Sequence, residues 1–208
     1  HWLADMTLKA LLVKLMALFA AQLLYVPINR WVRGGVILRT PLDAHIPFWP
    51  IWVLPYLLSL VWWWGCFIWA AWKMEPVRYR AFVAGALAAM LSSYAVYVLF
   101  PTYVERPLLE GHSWPVELVR FIYNNDRLHN ASPSSHAYTT MLLVFFWWNW
   151  HPRLRGALVM IAVLVLLSTL FIHQHYLVDP LGGILWAWMG YRFGSWWAMR
   201  EVSGKHVD

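Results

Sequence analysis

Residues 46–72 run for 27 positions without one Asp, Glu, Lys or Arg. That stretch exceeds the roughly 20 apolar residues a helix needs to cross a bilayer core of about 30 Å. Further apolar runs bounded by charge, Pro or Gly complete a set of six, at roughly 9–27, 46–72, 79–101, 136–150, 156–172 and 180–199. Composition agrees, because 61% of residues are apolar and only 12% charged, against about 25% charged in a soluble domain. So few charges cannot clothe a water-facing surface. The chain is predicted to be all-α, an integral membrane bundle of six transmembrane helices that forms a single domain over 1–208. A disordered chain and a disulfide scaffold fit poorly, and the one cysteine, Cys66, sits inside an apolar run with nothing to pair with. The fourth run is short. The first follows Asp5 and holds Lys14 and Gln22, so it reads as a span or as an interfacial amphipathic helix, not as a secretory signal peptide.

Net charge is +6 and the isoelectric point near 9.6. If the six runs alternate, one membrane side receives Lys9, Lys14, Lys73, Arg78, Arg80, Arg153, Arg155, Arg192, Arg200 and Lys205. The other receives Arg30, Arg33, Arg39, Arg106, Arg120 and Arg127. Ten bases against six place the first set in the cytoplasm. The positive charge is thus explained by membrane topology, and no nucleic-acid partner is expected. Loops 28–45, 102–135 and 173–179 then share the extracytoplasmic face, and Trp residues at run ends, such as Trp49, Trp52, Trp147 and Trp196, serve as headgroup-level anchors.

Polar residues gather on that same face. Arg106-Pro107 follows the third run, Asn130-Ala131-Ser132-Pro133-Ser134-Ser135-His136 opens the fourth, and His173-Gln174-His175-Tyr176-Leu177-Val178-Asp179 precedes the sixth. The Ser-Pro stretch reads as a helix start, with Ser132 as N-cap and Pro133 at the first helical position. Exposed N–H groups there, from Ser134, Ser135 or His136, suit an anion, although the same residues also suit a plain cap. His175 and Asp179 are four apart, which sets a carboxylate beside an imidazole and leaves the other ring nitrogen as nucleophile or base; the same pairing also serves as a structural cap. Arg106 is a guanidinium able to grip phosphate or to anchor at the interface. His173 and His175 alternate as metal ligands would, but no acidic or Cys cluster completes a set, so neither metal nor other cofactor is expected.

These residues resemble the type 2 phosphatidic acid phosphatase superfamily of six-span lipid phosphatases and phosphotransferases. That family carries Lys, six residues, Arg-Pro; then Pro-Ser-Gly-His; then Ser-Arg, five residues, His, three residues, Asp. Arg106-Pro107 matches the end of the first motif, and Pro133-Ser134-Ser135-His136 matches the second with Ser135 in place of Gly. Ser168, His175 and Asp179 keep the spacing of the third. Leu99 stands where the first motif has Lys and Thr169 where the third has Arg, so two of three expected phosphate-binding cations are missing. Arg120, Arg127 or His129 are candidates to replace them. The runs Asn130–His136 and His175–Gly183 are closer to the branch containing inositol phosphorylceramide synthase, and sphingomyelin synthases share the His, His, Asp triad.

The resemblance implies an enzyme that cleaves or transfers a lipid phosphate ester, with membrane lipids around it and water or a hydroxyl group as acceptor. It implies His175 as nucleophile forming a phosphohistidine, Asp179 as its support and His136 as leaving-group acid. Arg106, Ser134 and Ser135 would hold the phosphate. A phosphodiester carries one negative charge where a monoester approaches two, so the missing cations favour phospho-headgroup transfer as the alternative. A lipid transporter without catalysis is the rival class.

Overall fold

The computed structural model describes residues 8–204, and Asp5 and Lys205 lie outside the described residues. Seven α-helices build the described residues: α1 (Leu8–Trp31), α2 (Val53–Lys73), α3 (Pro76–Leu99), α4 (Trp114–Asn125), α5 (Ser135–Trp150), α6 (Arg155–Phe171) and α7 (Val178–Gly204). Among the described residues there is no strand; isolated bridges join Val36 to Thr102 and Tyr103 to His129. All six apolar runs are helical. Short links set the partners: Met74 and Glu75 alone separate α2 from α3, and a single turn at Pro152–Leu154 separates α5 from α6. Pro76 opens α3 where a missing N–H costs no helical bond, and Arg78 pairs with Glu75 at 3.3 Å.

Among the described residues, four segments are long and apolar enough to cross a membrane: Leu12–Trp31, Pro50–Lys73, Pro76–Leu99 and Pro152–Phe171. The other two predicted spans fall short for separate reasons. α5 has 16 residues, and at about 1.5 Å per residue it does not reach across a core of about 30 Å. α7 has the length, but its Gly, Trp and Ser residues together with Arg192 dilute its apolar side chains. The exterior of the bundle is apolar, with Leu58, Val61, Trp72, Met160 and Leu181 each more than half exposed, a surface suited to lipid rather than to water.

Aromatic residues fill the interior, where Trp147, Tyr79, Tyr97, Tyr138 and Phe82 are fully buried. α3 and α7 meet backbone to backbone, because a Cβ on Gly85 would lie 2.6 Å from the Gly190 carbonyl oxygen. Gly183 does the same for the starts of α5 and α7, where a Cβ would lie 2.7 Å from the Ser134 carbonyl oxygen. That contact brings the second and third sequence motifs together.

α4 lies inside what the sequence reading treats as loop 102–135. Its N-cap Ser113, Pro115 in the first turn and the buried Val116, Val119 and Ile122 make a short amphipathic helix. Val119 and Ile122 of this stripe pack with Val53, Tyr56 and Ile172. This packing carries the C-terminus of α4 toward Arg106.

Candidate active site

His175 lies on the link between α6 and α7. Thr169 shapes that link by accepting from the backbone N–H groups of Gln174 and His175 at 2.9 and 3.2 Å. Asp179 sits in the first turn of α7, fully buried, and its Oδ2 accepts from the Tyr176 N–H at 2.9 Å. The same oxygen lies 3.4 Å from His175 Nδ1. The two side chains thus approach one another, although His175 Nδ1 has no hydrogen-bond partner within the protein.

The start of α5 differs from the sequence reading. Ser134, not Ser132, is the N-cap, and its hydroxyl accepts from the Ala137 N–H at 3.3 Å. Tertiary bonds explain the shift: Tyr97 donates to the Pro133 carbonyl at 2.6 Å, and the Ser134 N–H donates to the Asp179 carbonyl at 3.0 Å. Pro133 is thereby held outside the helix. The Ser134 side chain is fully buried and engaged in capping, whereas Ser135 lines a cavity.

His136 stands in an aromatic cage supplied by α2. Its ring stacks on Tyr56 with centroids 4.1 Å apart, and Trp63 lies at 4.9 Å, fixed by its indole N–H donating to Thr140 Oγ1 at 3.0 Å. His136 Nε2 meets no partner within the protein. The centroids of His136 and His175 are 6.5 Å apart.

Arg106 caps α4. Its guanidinium donates to the carbonyls of Tyr123 and Asp126 at 3.2 and 2.8 Å and to Gln174 Oε1, and lies over the Tyr123 ring at 4.4 Å. Positive charge at a helix C-terminus is favourable. Asp126 in turn accepts from Tyr25 and Asn29 of α1, and burial raises its carboxyl above the usual range.

Two spaces flank His175. A cavity of about 250 Å³ is shared by Arg39, Arg106, His173 and His175. On the other side a space of about 10 Å³, enough for one oxygen-sized group, is lined by Asn130, Ser135, His136, Gln174 and His175. A third cavity, of about 210 Å³, joins Arg106 to Arg33, Arg127 and His129. His173 points its Nε2 at the Ile46 carbonyl, 3.2 Å away, and burial lowers its basicity.

The structure also locates the missing motif cations. Leu99 is 69% exposed on the outer surface, and Thr169 turns its hydroxyl to the Leu166 carbonyl. Of the candidate replacements, Arg120 is engaged with Glu117 and the Gly111 carbonyl, away from these spaces. Arg127 and His129 border the narrow space beside His136 and the basic cavity behind Arg106. Sequence reading did not select Arg39, Asn130, Gln174, Tyr56 or Trp63. Asn130 and Gln174 carried a local signal, as members of the polar runs that hold His136 and His175. Among the described residues no group of three or more His, Cys, Asp or Glu side chains is placed to hold a metal ion.

No curated protein and no solved structure matches the chain. A family model described as the PAP2 superfamily matches residues 82–203, a segment that holds Arg106, His136, His175 and Asp179.

Proposed function

Because the chain belongs to the PAP2 superfamily, a family of membrane phosphatases and phosphotransferases, we propose that it breaks a lipid phosphate ester through a phosphohistidine on His175. One observation carries this reading: His175, beside the buried Asp179, faces His136 with ring centroids 6.5 Å apart and shares a cavity wall with Arg106. In the first step His175 Nε2 attacks phosphorus, the bond to the leaving oxygen breaks, and His136 delivers a proton to that oxygen. Asp179 supports the positive charge that develops on the His175 ring. In the second step the oxygen of water or of another hydroxyl group attacks phosphorus, gives its proton to His136 and releases His175. Arg106, Ser135 and the N–H groups at the head of α5 hold the non-bridging oxygens, and Ser134 acts by capping that helix. Side chains of this chain perform every step, without a metal.

The reading extends to architecture. All six apolar helices cross the membrane as one domain, α5 reaching the interfaces with the help of its flanks, and the site faces the extracytoplasmic side. A second reading, transfer of a phospho-headgroup as in the inositol phosphorylceramide synthase branch, is favoured by the absence of cations at Leu99 and Thr169, since a diester needs fewer. Incubating the detergent-purified protein with lipid phosphomonoesters and phosphodiesters tests both. Free phosphate signals hydrolysis, a new phospholipid signals transfer, and neither product from any substrate rejects an enzyme of this class.

A further inference from the structure

Two carboxamides at positions that the family's motifs leave unspecified face the narrow space between the histidines. Asn130 is 4% exposed and Gln174 5%, and both border the space of about 10 Å³ with His136 and His175. Neither polar atom of Asn130 has a partner within the protein, nor has Gln174 Nε2. Burying an amide without a partner is costly, so these groups are expected to serve a ligand.

The orientation of Gln174 is fixed by chemistry. A guanidinium only donates, so the atom that meets Arg106 is the amide oxygen, and the NH2 group is turned away from it. Asn130 has φ of 67°, a left-handed conformation that Asn tolerates better than most residues. Its flanks are pinned, by the Tyr103–His129 bridge before it and by the Ala131 N–H donating to the Thr102 carbonyl at 3.3 Å after it. The side chain is therefore presented from a fixed backbone.

We propose that Asn130 and Gln174 form a neutral phosphoryl-oxygen subsite, their amide N–H groups donating to a non-bridging oxygen of the phosphate held at His175. The inference rests on the phosphate chemistry proposed above. It explains how the site works without cations at Leu99 and Thr169: preorganised neutral donors in a water-poor pocket stabilise charge that develops in the transition state. Arg106 then acts twice, on the main cavity and, through Gln174, on this subsite.

The test uses the full chain purified in detergent. Gln174→Glu replaces the donor by an acceptor while keeping an oxygen for Arg106; Asn130→Asp keeps shape but replaces the NH2 by an acceptor, and Asn130→Ser is the milder second variant. Each is expected to lower kcat on the order of 10²-fold, with KM changed less than about threefold. The deficit of Asn130→Asp should shrink as pH falls, because a protonated carboxyl donates again. Tyr25, Asp126, Arg127, His129, His136 and His175 face the same space, and referring the variant to wild type at each pH cancels their own titration. Thermal midpoints without ligand report folding. Inorganic phosphate should raise the midpoint of wild type and raise that of the variants less.

Wild-type turnover with all three variants within about twofold in kcat overturns the subsite and leaves the proposed function standing. No wild-type turnover, together with a phosphate-induced shift lost in the variants, supports the subsite and rejects the catalytic reading. Equal phosphate shifts in every folded protein overturn the subsite.

Discussion

The rings of His136 and His175 lie 6.5 Å apart, although one heads α5 and the other precedes α7. Their proximity is built by backbone. The Ser134 N–H donates to the Asp179 carbonyl at 3.0 Å, and Gly183 lets the two helix starts touch. If this pair is the nucleophile and acid of a phosphoryl transfer, the two histidines should fail differently.

His175→Ala should lower turnover on the order of 10⁴-fold or more. Rapid quenching of wild type with substrate labelled in the transferred phosphorus should trap label on protein with the acid-labile, base-stable profile of a phosphoramidate. That label should be absent from His175→Ala. Near-normal turnover of the variant would instead favour in-line attack by water or acceptor without a covalent intermediate.

His136→Ala should cost about 10²–10⁴-fold with alkyl phosphates, whose alkoxide must be protonated as it leaves. Aryl phosphates, with leaving groups that need no proton, should suffer far less. Comparing kcat/KM for the two classes checks the assignment, and equal losses would reduce His136 to a binding or structural group.

What was legible in the sequence is what short-range chemistry fixes. Long apolar runs announced their helices because a bilayer allows little else, and the closeness of His175 and Asp179 in sequence made their approach legible, although His175 lies on the link before α7 and not on a helical turn. Long-range bonds were not legible. The cap moved from Ser132 to Ser134 because Tyr97 and Asp179, remote in sequence, hold Pro133 and Ser134 in place. The partners of Arg106 and the aromatic cage of His136 come likewise from other elements. α4 was hidden because its apolar stripe is three residues long and set among charges.

Sidedness is open to labelling. In a Cys66→Ala background, Leu108→Cys should react with an impermeant thiol reagent added to intact cells, since Leu108 is 94% exposed on the loop before α4. Arg153→Cys, at the opposite end of the bundle, should stay protected. The reverse pattern would place the site in the cytoplasm.

Packing of α7 on α3 leaves no room at Gly194, where a Cβ would collide with the Ala81 carbonyl oxygen. Gly194→Ala should destabilise by about 1–3 kcal/mol or more, read as a drop in thermal midpoint in detergent. Gly65→Ala is the control: nothing lies within 4 Å of its Cβ position, and in mid-helix it should be neutral or stabilising by about 0.5–1 kcal/mol.

The loop that carries His175 should loosen in mild acid, and His173 supplies the reason. Its ring packs edge-on against Phe48 with centroids 5.5 Å apart and its Nε2 meets the Ile46 carbonyl; that contact favours the charged ring, but burial disfavours it more strongly. Burial lowers its pKa in the folded state. The folded protein then binds fewer protons than the unfolded chain, and the stabilisation is present in full above the unfolded value of about 6.5 and lost as pH falls below it. Thermal midpoints between pH 7.5 and 5, about one pH unit above to well below that value, should decline for wild type. His173→Asn keeps a residue that tolerates the φ of 49° at this position and cannot titrate. Its midpoint should be lower than wild type at pH 7.5 but should decline less toward pH 5, and an equally steep decline in the variant would assign the acid sensitivity to another group.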